Sequence, residues 1–190
     1  VQLGGPVGDR TAYGEAAFAV VSAMADRLGL SPTPVAWHAD RSRIWNLVEA
    51  VAAPVRSTAK IAHDLTLLAG LGEVTMRAGG SSSMAGKQNP IDAMRALAAA
   101  EAFRGAAAMI TGAAPSELDR GLGSWHVEWF ALPLVFGTAS AVFEATTAAL
   151  ESLQVDAEVM AAAVPTGAEL PDGADVDAVV ARFDRLVGGP

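Results

Sequence analysis

Between Gly79 and Pro90 the chain reads Gly-Gly-Ser-Ser-Ser-Met-Ala-Gly-Lys-Gln-Asn-Pro, set between two long apolar patterns of helical period. Adjacent glycines free the backbone, and a run of serines can turn several N–H and O–H donors toward one small acidic ligand. Lys87 adds a point charge suited to a carboxylate, and Asn89 can donate to one oxygen while accepting from another group. Pro90 suits the first turn of a helix, whose N-terminus favours negative charge nearby. By composition alone, a solvated Gly/Ser connector accounts for the stretch equally well.

A second polar cluster runs from Ser116 to Trp129 and holds Glu117, Asp119, Arg120, Trp125, His126 and Glu128. Arg120 can clamp a carboxylate or pair with Glu117 or Asp119. His126, among tryptophans, is more simply a hydrogen-bonded packing residue. His38 reads as a turn residue and His63 as a helix-flank residue. Three separated histidines and no cysteine offer no metal site and no disulfide.

The elements that must position these groups are helices. Ala17, Val20, Val21, Met24 and Leu28 recur at helical spacing from about Thr11, and Gly29 ends the run. Ile44, Leu47, Val48, Val51, Val55, Ile61, Leu65 and Leu68 mark one stripe from about Asp40 to Ala69, a helix of roughly 45 Å, with a kink expected at Pro54. An alanine-rich helix follows Pro90 and stops at Pro115. Another runs from Trp129 to about Leu153 despite Pro133. Asp156 can cap a short helix, and Val176, Val179, Val180, Phe183 and Leu186 suggest a small amphipathic one. Glycines between 70 and 80 suggest mobility, and no stretch alternates as a strand would. Residues 1–153 therefore read as one helical-bundle domain carrying loop 79–90, and 154–190 as a short C-terminal helical remnant.

Apolar residues make up 52% of the 190 and charged ones 18%, so part of the apolar surface is expected between subunits. A net charge of −8 argues against a nucleic-acid backbone as partner. No basic-plus-apolar leader is evident, and Glu101, Arg104 and Glu144 interrupt the apolar stretches; a soluble, cytoplasmic protein away from membranes is the expectation.

The loop's spelling resembles the signature Gly-Ser-Ser-x-Met-x-x-Lys-x-Asn-Pro of the fumarase/aspartase superfamily, with Gly80, Ser81, Ser82, Met84, Lys87, Asn89 and Pro90 at its fixed positions. Three further segments, Gln2 to Gly8 (QLGGPVG), Trp37 to Ile44 (WHADRSRI) and Glu117 to Pro133 (ELDRGLGSWHVEWFALP), resemble the 3-carboxy-cis,cis-muconate cycloisomerases more than the superfamily's C–N lyases. Ala85 stands where the family commonly has proline. The similarity extends to about Met160, and the family's N-terminal domain and Thr-His-x-Gln segment have no counterpart in these residues.

The resemblance implies an all-α fold of long helices in a tetrameric bundle, with active sites where loops of different subunits meet. It implies Ser81 as catalytic base, exchanging the proton on the carbon next to a carboxylate. Lys87 and Asn89 would bind substrate carboxylates, Ser82 and Met84 would line the pocket, and Arg120 and His126 would contact substrate. No cofactor would be required, and the substrate would be a small di- or tricarboxylate. The implied reaction is lactonisation of 3-carboxy-cis,cis-muconate in aromatic catabolism. The alternatives are a C–N lyase releasing fumarate and a non-catalytic helical assembly domain.

Overall fold

The computed structural model describes residues 1–80, 84, 88–165 and 173–187, without the side chains of 174, 175, 183, 186 and 187. These residues fall into two units, Val1–Val155 and Asp156–Pro190. The fold is all-α in character, and the first unit is organised on three long helices: α2 (Ser42–Leu71), α3 (Ile91–Thr111) and α4 (Val127–Glu151). A shorter α1 (Ala17–Leu28) precedes them.

Local chemistry sets where these helices begin and end. The Asp40 carboxylate accepts from the Ser42 N–H at 2.9 Å, taking up a donor that α2 would leave free. Gly72 closes α2 in the left-handed region at φ 78°, and the Glu73 N–H returns to the Leu68 carbonyl at 3.0 Å. Pro54 and Pro133 lie inside α2 and α4 rather than ending them. The helix expected from Thr11 begins at Ala17 instead. Thr11–Ala16 is a 3-10 segment broken at Gly14, whose φ of 55° and ψ of −147° no α-helix accommodates.

The helices pack antiparallel, as the core residues show. Val48, Ala52 and Val55 from the first half of α2 meet Phe103, Ala106 and Ile110 from the second half of α3. Ala131, Val135, Ala139 and Val142 of α4 complete this cluster. At the other end a smaller cluster joins Leu65 of α2, Ala93 of α3 and Ala149 of α4. Most of these side chains are alanine or valine, so the backbones approach closely and α3 and α4 share the most extensive contact.

Four very short strands were not anticipated. β1 (Val74–Thr75) pairs antiparallel with β4 (Gln154–Val155), tying the exit of α2 to the exit of α4. β2 (Ala78–Gly80) pairs antiparallel with β3 (Gln88–Pro90), joining Gly79 to Asn89. The approach to the Gly/Ser loop is thus held by pairing at both ends of this stretch.

α4 with the turn before it is long and apolar enough to cross a bilayer by length and composition. Its first turn nevertheless carries Glu128, buried and ion-paired to Arg41, and its small residues pack against α2 and α3. One face of it is thus a core face. In the second unit, Asp156 caps α5 (Ala157–Ala163) by accepting from the Val159 N–H at 3.0 Å, and α6 spans Ala174–Val187.

Candidate active site

The residues singled out in the sequence lie at opposite ends of the antiparallel bundle. Asn89 and Met84 belong to the end where α3 starts, while Arg120 and His126 belong to the end where α3 has finished and α4 begins. The 21 residues of α3 separate them by about 30 Å. Ser81, Ser82 and Lys87 lie outside the described residues.

At the loop end, β2 and β3 form the stem from which the Gly/Ser-rich segment springs. Asn89 is half-buried opposite Gly79, and Met84 is exposed. A β-carbon on Gly79 would lie 3.2 Å from the Ile91 side chain, so glycine suits this close approach of stem to helix. Arg77, just before β2, donates from Nε to Asp92 Oδ2 at 2.8 Å and from Nη2 to Oδ1 at 2.6 Å. Asp92 lies in the first turn of α3 and is only 2% exposed. Its partner Arg77 has a side chain that is 60% exposed, while the Arg77 backbone N–H donates to Ser152 Oγ at 3.0 Å.

The Arg77 hydrogen bonds hold the Asp92 carboxyl below the usual aspartate range, against the opposing effect of burial. A carboxylate with a depressed native pKa contributes stability that is present above its unfolded pKa and lost as pH falls through its folded one. Unfolding free energy should therefore decline as pH drops below about 3.9. Asp92→Asn should flatten that part of the profile in urea titrations across this range.

At the opposite end, three segments far apart in sequence converge. The Trp37 N–H donates to Gln2 Oε1 at 2.8 Å, His38 Nε2 donates to the Gly5 carbonyl at 2.7 Å, and Arg120 Nη1 donates to the Pro6 carbonyl at 2.9 Å. A β-carbon on Gly4 would come within 2.8 Å of both Ala36 and His38, so the segments approach this closely only with glycine there. Gln2, Gly5, His38, Arg41, Arg120 and Trp125 line a cleft of about 240 Å³.

Under this cleft Arg41 and Glu128 form a two-pronged ion pair, Nε to Oε1 at 2.7 Å and Nη2 to Oε2. Both are largely buried, and their 87-residue separation makes the pair a bolt between the start of α2 and the start of α4. Arg120 does not pair with Glu117. That carboxylate accepts instead from the Leu122 N–H at 3.0 Å, a bond that holds its pKa below the usual range. Trp125 Nε1 and Ser124 Oγ are buried without a hydrogen-bond partner among the described residues.

His126 Nδ1 faces the Gly123 carbonyl at 3.1 Å, which places its proton there and leaves Nε2 as acceptor in the neutral ring. The ring stacks on Trp125 at 4.0 Å and meets the edge of Trp129 at 4.5 Å. Trp125 rather than His126 forms the cleft wall.

The sequence pattern read His38 as a turn residue and did not single out Arg41, Arg77 or Asp92. His38 and Arg41 did fall within one of the three resembling segments, Trp37 to Ile44. Arg77 and Asp92 left no such trace.

No protein-family model matches the chain. A 3-carboxy-cis,cis-muconate cycloisomerase from Pseudomonas aeruginosa is 35% identical over 166 residues, covering 84% of this chain and 36% of that one. A nitrosuccinate lyase from Streptomyces davaonensis is 35% identical over 176 residues, covering 85% and 37%. The crystal structure of a 3-carboxy-cis,cis-muconate lactonizing enzyme from Pseudomonas putida superposes with a TM-score of 0.78 at 31% identity, over 96% of this chain and 42% of that one. The chain thus spans little more than a third of the length of the curated relatives it matches. Over that span, sequence and helical architecture together place it in the fumarase/aspartase superfamily, among proteins that include 3-carboxy-cis,cis-muconate cycloisomerases and a nitrosuccinate lyase.

Proposed function

We propose that these residues are the helical core and signature loop of a cycloisomerase that lactonises 3-carboxy-cis,cis-muconate without a cofactor. The observation that carries this reading is the convergence of the three cycloisomerase-like segments on one cleft bearing Arg120 and His38. A carboxylate oxygen of the substrate adds to a double bond, the π electrons pass into an aci-carboxylate, and the carbon beside that carboxylate takes up a proton. Ser81 handles that proton, while Lys87 and Asn89 hold carboxylates by charge and hydrogen bonds. Ser82 and Met84 line the pocket.

Because Asn89 and the cleft lie about 30 Å apart within one chain, a site using both draws them from different subunits. Trp129, Phe136, Phe143 and Leu150 recur every seventh residue on α4 and are all exposed, a stripe suited to helix-to-helix assembly. A homotetramer in the cytoplasm is the form we assign.

A second reading is elimination from a small dicarboxylate, favoured by the 35% identity to a nitrosuccinate lyase. The full-length protein decides between them when 3-carboxy-cis,cis-muconate consumption is followed in the ultraviolet beside fumarate release from substituted succinates. Muconate consumption with no fumarate formed supports the cycloisomerase. Fumarate release alone supports the lyase.

A further inference from the structure

Arg77 and Asp92 bracket the stem of the signature loop. Arg77 stands two residues before Gly79, and Asp92 three residues after Asn89, the partner of Gly79 in the β2–β3 register. The guanidinium grips both carboxylate oxygens, at 2.8 and 2.6 Å, so it defines an orientation as well as a distance. Its own backbone is anchored to Ser152 at the end of α4, whose Oγ in turn donates to the Ala148 carbonyl at 3.0 Å. The stem is thereby referenced to both α3 and α4.

Arg95 approaches the same carboxylate, at 3.7 Å from Oδ1, but belongs to α3 and makes no hydrogen bond or ion pair to the stem among the described residues. The two arginines share one partner and differ in what that partner ties them to.

We propose that the Arg77–Asp92 pair is a positioning clasp, which sets the β2–β3 stem and with it the side chain of Asn89 relative to the start of α3. The proposal rests on the reading of Asn89 as a carboxylate-binding residue. Arg77 acts through Asn89 and does not itself touch substrate.

The test uses Arg77→Gln, Arg77→Lys and Arg95→Gln in the full-length protein. Arg77 is chosen over Asp92 because its side chain is 60% exposed, and the glutamine amide and the nearby Arg95 still offer donors to the buried Asp92 carboxylate. The first readout is amide hydrogen exchange at Gly79, Gly80, Gln88 and Asn89; the second is steady-state kinetics with 3-carboxy-cis,cis-muconate. Arg77→Gln should speed stem exchange and lower kcat/KM by about 10²-fold, mainly through a higher KM. Arg77→Lys, which keeps the charge but loses the fork, should recover part of both. Arg95→Gln should match wild type.

Unchanged stem exchange and KM in Arg77→Gln, or equal effects from Arg95→Gln, would overturn the clasp. A wild-type protein with no turnover would instead defeat the functional reading, and stem exchange alone would then decide the clasp.

Discussion

Replacing Glu128 with alanine is expected to lower the unfolding free energy by about 3–5 kcal/mol, the usual consequence of stranding one member of a buried ion pair. Glu128 is 6% exposed and takes two hydrogen bonds from Arg41, which is itself held between α2 and α4. Removing the carboxylate leaves a guanidinium whose remaining acceptor among the described residues is the His38 carbonyl, at 3.3 Å. Glu128→Gln keeps the shape but not the charge and should fall between wild type and alanine. Replacing Arg41 and Glu128 together with methionine should recover much of the loss, because neither charge is then left unpaired. Urea unfolding at one fixed protein concentration measures all three, since assembly would otherwise shift the midpoint. A loss below about 1 kcal/mol in Glu128→Ala, typical of surface pairs, would show that the bolt is solvated.

Ser81→Ala and Arg120→Ala are each expected to lower turnover in the full-length protein, the first by about 10²–10⁴-fold for loss of an acid–base group. The informative result comes from mixing them. If the loop of one chain works with the cleft of another, an oligomer reassembled from both variants contains some sites with an intact Ser81 and an intact Arg120. Activity should then reappear on mixing after mild denaturation and refolding. The distance along α3 between Asn89 and Arg120, about 30 Å, is far beyond the span of a small tricarboxylate, so one chain cannot bring those two residues to the same molecule. Mixed oligomers as inactive as the parents would show that loop and cleft do not share a site.

The two experiments separate fold from function at this end of the bundle. Glu128 holds the helices that form the cleft, and Arg120 presents its charge there from a loop tied to Pro6. A loss of stability with turnover preserved at low temperature would assign the ion pair to architecture.

Much of this was legible in the sequence. Helical periodicity marked α2, α3 and α4 because a period near 3.6 is written locally, residue by residue, whatever the helix packs against. The loop from Gly80 to Pro90 stood out by its spelling, since residue types alone left a solvated Gly/Ser connector equally good. The start of α1 was misplaced because Gly14 breaks the helix through backbone geometry that apolar spacing does not encode. Strands of two and three residues were invisible because they are too short to show alternation.

Only the tertiary structure decided which distant residues became partners. Arg41 reaches Glu128 across 87 residues because α2 and α4 start at the same end of the bundle. Arg77 finds Asp92 because the β2–β3 hairpin folds back onto α3. The same antiparallel packing puts Asn89 and Arg120 at opposite ends, although both sequence clusters suit the same carboxylate chemistry. The residue types determined what each group can do. The direction of the helices, set by how alanine-rich faces pack, decided which groups can do it together.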